Sequence, residues 1–328
     1  MLTNKGKRMK RILMIALVIL GSLAAKAQQD PQYTQWFNDK QSFNPAALGI
    51  RDGHCISGFF RNQWNGFDSQ PNTVMLNYAG RINTPGLKGG MGLTFYNDQL
   101  GQEVNNVIRG MFAYHVNAGS GTLSLGLGLG YFAKELGNAW LPPEGVESIA
   151  NDNAINSQIQ TDGGFDLTFG LYYFEPEKYY VGISSTHLTQ SDLEQLSIET
   201  SRHYYLMGGY NFDLTSDLVL RTNLLAKSDF NKSALDINAN VFWNSMLYGG
   251  LTFRPGDAIA PVFGLEYCTN NSTKTSKSMV CYRLAYSYDV TTSEIRNFSS
   301  GSHEIFAGIC FSYQSIPVVT RHANPRFL

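Results

Sequence analysis

From Leu235 to Trp243 the chain changes character at every residue. Leu235, Ile237, Ala239, Val241 and Trp243 form one set, and Asp236, Asn238, Asn240 and Phe242 the other. Successive side chains of a strand point to opposite faces, so this two-residue period gives one set an apolar surround and the other a separate interior. The pattern recurs along the chain. After Asn244-Ser245, Leu247, Gly249, Leu251 and Phe253 alternate with Tyr248, Gly250, Thr252 and Arg254. Leu123, Leu125, Leu127, Leu129 and Tyr131 interleave with Ser124, Gly126, Gly128 and Gly130. Phe165 to Leu171 and Tyr282 to Tyr288 follow the same rule.

Past residue 27 no apolar stretch reaches the roughly 20 residues a membrane-crossing helix requires. Hydrophobic residues make up 43% of the chain and only 16% are charged. If the chain enters a membrane, it must cross as strands closed into a barrel, because lipid leaves no partner for an open sheet edge. The charges decide between the faces. Arg221, Arg254, Arg283, Asp166 and Asp236 all fall on the polar set, and Arg or Lys facing lipid at mid-depth would cost about 2 to 4 kcal/mol. A soluble β-sandwich alternates in the same way and is the competing architecture. Aromatic residues at strand ends (Tyr131, Tyr173, Tyr204, Tyr210, Phe253, Tyr267, Tyr288, Tyr313) favour the girdles of a transmembrane barrel.

The expected fold is therefore all-β, a transmembrane antiparallel up-and-down barrel of about fourteen strands with an irregular, plug-like N-terminal segment. The strands are placed near 54–61, 72–82, 89–97, 103–116, 121–133, 163–173, 179–185, 202–212, 217–227, 234–243, 246–254, 259–267, 280–289 and 302–313. With both termini periplasmic, the long connections 134–162 and 186–201 fall outside. Residues 84–86, 213–216 and 244–245 become short inner turns. The connection 269–279 is long for an inner turn.

The N-terminus carries Lys7, Arg8, Lys10 and Arg11, then the apolar run Ile12 to Leu20, then Ala25-Lys26-Ala27. Basic residues, a short apolar core and a small-x-small site describe a cleaved signal peptide over 1–27. Translation from Met1 and from Met9 both leave it intact, and Gln28 offers no cysteine for lipidation. The segment 28–53 carries Pro31 and Pro45 and is expected to plug the periplasmic mouth or lumen, the alternative being a loose leader. The barrel is assigned to 54–313 and a periplasmic tail to 314–328, which either docks a partner or hangs free. Gly308, Phe311 and Tyr313 resemble the Gly-x-x-aromatic-x-aromatic ending of outer-membrane proteins.

Removing residues 1–27 removes six basic residues and no acidic ones, leaving 25 − 6 = 19 positive against 26 negative, net −7. That balance disfavours nucleic acid as a partner. Cys55, Cys268, Cys281 and Cys310 lack metal-ligand spacing. Cys268 and Cys281 would face each other across a hairpin, as a disulfide or as small apolar fillers.

Several stretches taken in order resemble the PorP/SprF family of type IX secretion and gliding-motility membrane proteins of Bacteroidetes. They are Gln29-Asp30-Pro31-Gln32-Tyr33-Thr34-Gln35, Asn44-Pro45-Ala46 with Gly49, and Phe60-Arg61-Asn62-Gln63-Trp64-Asn65-Gly66-Phe67. Further on come Arg202-His203-Tyr204-Tyr205-Leu206, Asp236 to Asn240 and Arg254-Pro255-Gly256-Asp257-Ala258. The last are Tyr288-Asp289-Val290, Ser293-Glu294-Ile295-Arg296-Asn297 and Ser300-Gly301-Ser302-His303-Glu304. The resemblance implies an outer-membrane protein that binds or anchors a secreted surface protein or adhesin and contacts the periplasmic secretion machinery. Asp30, Pro31, Tyr33, Asn44, Pro45, Arg61, Trp64, Asp257, Arg296, His303, Glu304 and Arg326 are the residues singled out as plug or partner contacts.

No catalytic or cofactor motif accompanies them. His303-Glu304 is the best acid–base pair, but neither Gly-x-Ser-x-Gly nor His-Glu-x-x-His is present. Glycines 126, 128 and 130 read as inward strand positions rather than a phosphate loop. Asn151-Asp152-Asn153 and Asp162 lack calcium-loop spacing. No enzyme activity, cofactor or metal is therefore expected. The competing function is a transporter barrel for small apolar solutes, with Phe242 and Tyr248 lining its lumen.

Overall fold

The structure is a computed structural model that describes residues 30–66, 69–138, 158–272 and 276–315. The expected signal peptide, loop residues 139–157 and most of the tail, Arg326 included, lie outside the described residues. The fold is a closed antiparallel barrel of fourteen strands. In chain order these are β1 (His54–Asn62), β2 (Asn72–Thr84), β3 (Leu87–Leu100), β4 (Glu103–Ala118), β5 (Gly121–Leu136), β6 (Gln160–Glu175) and β7 (Tyr179–Thr186). They continue as β8 (His203–Asp213), β9 (Leu218–Ser228), β10 (Ser233–Trp243), β11 (Leu247–Arg254), β12 (Ala258–Ser272), β13 (Ser276–Thr291) and β14 (Ser302–Ser315). Each strand pairs with its sequence neighbours. β1 pairs with β14 through nine residues, His54 opposite Phe311 to Asn62 opposite His303, and this closes the cylinder.

The alternation resolves as the sequence demands. Along β10, Asp236, Asn238, Asn240 and Phe242 are buried inside, while Ile237, Val241 and Trp243 are exposed on the outer wall. Asp166, Arg254 and Arg283 are buried in the lumen, and Leu125, Leu127 and Leu129 face out. Aromatic residues ring both rims of the outer wall, with Tyr131 and Phe253 at one and Tyr210, Tyr267 and Tyr313 at the other. Among the described residues no helix is long and apolar enough to cross a membrane.

The short turns 85–86, 119–120, 176–178 and 244–246 share one end with both barrel termini, the periplasmic end in single-chain bacterial barrels. Asn244 and Ser245 have φ of 51° and 55°, and Met246 N–H donates to the Trp243 carbonyl at 3.0 Å. These make a type I′ turn, whose twist matches that of the flanking strands. The connection expected over 269–279 is much shorter in the structure. β12 runs on to Ser272 and β13 resumes at Ser276, so cross-strand hydrogen bonding carries Thr269 and Asn270 further than their polarity suggested.

The interior is not uniformly polar. Tyr33, Trp36, Phe43 and Ala46 of the N-terminal segment pack with inward Phe59, Met75, Phe132, Tyr172, Tyr205 and Phe306 into one buried apolar cluster.

Candidate functional site: the plug and the lumen wall

The chain from Asp30 to Gly53 runs inside the barrel and is irregular apart from two single 3-10 turns, Trp36–Asn38 and Pro45–Ala47. An irregular backbone needs outside partners for its polar groups, and the wall supplies them. Ser184 Oγ donates to the Phe43 carbonyl at 2.6 Å, and His115 Nε2 meets the Leu48 carbonyl at 2.9 Å. Asn44 caps the second turn by accepting from Ala46 N–H at 2.9 Å. Its amide nitrogen also donates to the Leu171 and Ile183 carbonyls, at 3.0 and 3.2 Å. Pro45 at the first position of that turn has its φ preset and no N–H to leave unpaired.

This turn approaches the wall so closely that two wall positions tolerate no side chain. A Cβ on Gly126 would lie 2.1 Å from Ala46 N, and one on Gly170 would lie 2.0 Å from Asn44 Oδ1. The inward glycines of β5 and β6 thus form the bed for Asn44-Pro45-Ala46.

Toward the outer end, charged residues from five strands make an alternating row. Arg254 Nε meets Asp236 at 2.6 Å and Arg254 Nη1 meets Asp257 at 2.7 Å, with Asp289 at 3.8 Å. Arg61, 1% exposed, meets Asp289 at 2.7 Å and Glu304 at 2.9 Å. The plug completes the row. Thr34 and Gln35 N–H donate to the two oxygens of Glu304, each at 2.8 Å, and Thr34 Oγ1 donates to Asp289 at 2.6 Å. Charges buried this deeply are tolerated because each meets an opposite charge and further hydrogen bonds.

Asp30 anchors the start of the plug. Tyr205 donates to its carboxylate at 2.6 Å, and His187 Nε2 lies 2.9 Å from it. Burial alone would raise the Asp30 carboxyl; the His187 and His203 imidazoles, with hydrogen bonds from His187 and Tyr205, hold it well below the usual carboxylate range. Asp30, His187 and His203 bring their ligand atoms within 4.8 Å of one another, and they are the group among the described residues with the donor set for a metal ion. The Asp30–His187 hydrogen bond accounts for the arrangement without one.

The residues singled out by sequence divide in two. Asp30, Pro31, Tyr33, Asn44, Pro45, Arg61, Asp257 and Glu304 belong to the plug or to the charged row that holds it. Trp64 sits in the outer loop after β1 with φ of 53°, and its N–H donates to Ser302 Oγ at 3.0 Å. Arg296 is exposed in the 3-10 turn Glu294–Asn297. His303 and Glu304 are not a catalytic pair. As neighbours on β14 they face opposite ways, Glu304 inward to Arg61 and His303 outward, where Tyr286 Oη lies 2.7 Å from its Nδ1. Sequence reasoning missed His187 and Arg109, and it named Tyr205 only within the stretch Arg202 to Leu206. Arg109 pairs with Asp166 at 3.3 Å, and its inward parity on β4 was the available signal.

A closed strand cylinder with an apolar outer wall, aromatic rims and a lumen filled by its own N-terminal segment defines an outer-membrane β-barrel protein with an internal plug. Residues 25–309 match the family model for the type IX secretion system membrane protein PorP/SprF, and the chain belongs to that family. It is thus an outer-membrane component of type IX secretion. No curated protein matches it in sequence. Among solved structures it is similar to the CymD monoaromatic hydrocarbon channel, at 13% identity over 92% of this chain and 97% of that one, with a TM-score of 0.46. It is also similar to the Pseudomonas putida toluene transporter TodX, at 12% identity over 84% and 93%, TM-score 0.42. The NanC porin follows at 9% identity over 79% and 100%, TM-score 0.36.

Proposed function

We propose that this protein is a non-enzymatic docking barrel that binds or anchors a secreted surface protein through its outer loops and meets the periplasmic secretion machinery at its inner end. The observation that carries this reading is the filled lumen. Tyr33, Trp36, Phe43 and Ala46 are buried among wall residues across the bore, so the barrel serves as a rigid frame and its loops as the binding elements. The outer connections 187–202 and 292–301 offer backbone and exposed side chains such as Arg296 and Phe298. The paired charges in the lumen support the same reading, since Asp289 and Glu304 are engaged with Arg61 and with the plug, and Asp236 with Arg254.

The transporter reading draws less support. Phe242 and Tyr248 stack on each other with centroids 4.5 Å apart, and Asn38 of the plug donates to the Tyr248 hydroxyl at 3.1 Å. Those rings are engaged with each other and with the plug.

Affinity purification of a tagged chain from native outer membranes tests the proposal. A large secreted protein and a periplasmic partner should co-purify. Recovery of the barrel alone, together with uptake of small aromatic solutes into liposomes that contain it, would overturn the docking role.

A further inference from the structure

The charged groups of the lumen are paired toward the outer end and unbalanced toward the periplasmic end. Arg283 on β13 has 7% exposure, and its Nε and Nη1 are buried without a hydrogen-bond partner. Strand register puts Glu266 directly opposite it. That carboxylate, however, is held by Arg51 of the N-terminal segment at 2.8 Å. Arg283 also stacks on the face of Phe306, 4.8 Å from the guanidinium carbon, and no hydrogen bond reaches its Nε or Nη1. Lys40 of the plug is in a similar position, with its ammonium 3.7 Å above the Tyr180 ring. Both line one cavity of about 130 Å³, together with Arg51, Arg81 and Asp39. Arg81 is taken by Asp52, and Asp39 accepts from Asn77 at 2.8 Å.

A buried guanidinium with two N–H positions left unpaired is unfavourable, and buried polar groups normally have a partner. Here the cavity beside it is large enough for about four waters by volume, and so for a small oxyanion. Exposed Arg51 and Arg81 flank it at the end that carries the short turns. Burial, with Arg51 and Arg221 nearby, pushes the Lys40 ammonium down to about 7, the response of a cation that lacks a counter-ion.

We infer that the cavity between Arg283 and Lys40 is a binding site for a small oxyanion, a phosphate or carboxylate group, that enters from the periplasmic end. The planar fork of Arg283 would engage two oxygens, and Lys40 would supply a point charge. Net charge on the mature chain is negative, so this basic pocket is a local feature and not a consequence of overall composition. The site goes beyond the docking role and does not depend on it.

The test is calorimetric titration of the purified, detergent-solubilised full barrel with inorganic phosphate and, separately, with acetate. The unmodified protein should bind phosphate, and its unfolding temperature should rise with phosphate concentration. Arg283→Met keeps the volume and removes the fork, so it should weaken binding by about ten-fold or more and lose the thermal shift. Lys40→Met should weaken it less. Binding of acetate as well would mean that carboxylates share the site; phosphate alone would restrict it to tetrahedral oxyanions. Two results would overturn the inference: no binding of either anion to the unmodified protein, or unchanged phosphate affinity in folded Arg283→Met. Should Arg283→Met fail to fold, unchanged affinity in Lys40→Met would be equally decisive.

Discussion

The Arg61 guanidinium and the Glu304 carboxylate meet at 2.9 Å directly across the seam where the first strand of the barrel hydrogen-bonds to the last. The same carboxylate accepts two backbone N–H groups of the plug, so one side chain ties barrel closure to plug docking. Glu304→Gln keeps the shape and removes the charge. Breaking a buried ion pair leaves its partner uncompensated and costs about 3 kcal/mol; Asp289, which also holds Arg61, keeps the loss near that lower limit. Urea unfolding in detergent, followed by heat-modifiable gel mobility, should show this loss. Trypsin should also cut the N-terminal segment at Lys40 faster. A variant with unchanged stability and protection would show that the seam does not rely on this pair.

Gly126→Ala should dislodge the plug. Its new Cβ would stand 2.1 Å from Ala46 N and 2.4 Å from the Pro45 carbonyl carbon, both backbone atoms of a turn that Asn44 holds in place. Gly128→Ala on the same strand is the control, because its Cβ would meet the Met111 side chain at 3.1 Å, which can move. In planar bilayers the first variant should conduct more than the unmodified barrel and the second should match it. Equal conductance in all three would mean that the 45–47 turn does not block the bore.

The pattern of two made the barrel legible from Leu235 to Trp243 and its counterparts, because lipid on one side enforces alternation at every step. Strand ends were less clear. Thr269 and Asn270 look like loop residues, yet hydrogen bonding to Val280 and Met279 extends the hairpin to a turn that their polarity hides. The plug was readable only as irregular chain with two prolines, since its order comes from tertiary contacts such as Ser184 Oγ to the Phe43 carbonyl. Arg61 and Glu304 stood out singly, but their meeting depends on closure between residues 243 apart in sequence. The inward aromatic core around Trp36 was also hidden, because a periodic pattern distinguishes the two faces without saying how tightly the inner one is packed.

Lys40 gives the stability a measurable pH dependence. Its folded-state value of about 7 lies below the ordinary 10.5, for burial and the nearby Arg51 and Arg221 disfavour the charged form. Between these two values the unfolded chain holds a proton at this site that the folded chain has released, so stability contributed by Lys40 rises with pH across the window. Below about 7 both states are protonated and the contribution is flat at its least favourable level. Melting curves of the unmodified barrel and of Lys40→Met, recorded in anion-poor buffer, should converge as pH rises from 7 towards 10.5. Parallel curves over that window would show that the ammonium is not desolvated.

The cysteines occupy one cross-strand row at the periplasmic end, with Cys268 opposite Cys281, Cys281 opposite Cys310 and Cys310 opposite Cys55. Two disulfides form in it, Cys268–Cys281 within a hairpin and Cys55–Cys310 across the seam. The hairpin bond was legible as one of two readings; the seam bond was not, since its cysteines are 255 residues apart. Separation also ranks their effects. Chain entropy alone gives about 3 kcal/mol for a loop near 15 residues and about 4.7 kcal/mol for one near 100, and the separations here are 13 and 255. Replacing Cys55 and Cys310 by serine should therefore lower the unfolding midpoint more than replacing Cys268 and Cys281, and reduction of the unmodified protein should lower it at least as far as the seam variant. The reverse order would mean that the Arg61–Glu304 pair and nine residues of backbone pairing already hold the seam as tightly as a covalent bond can.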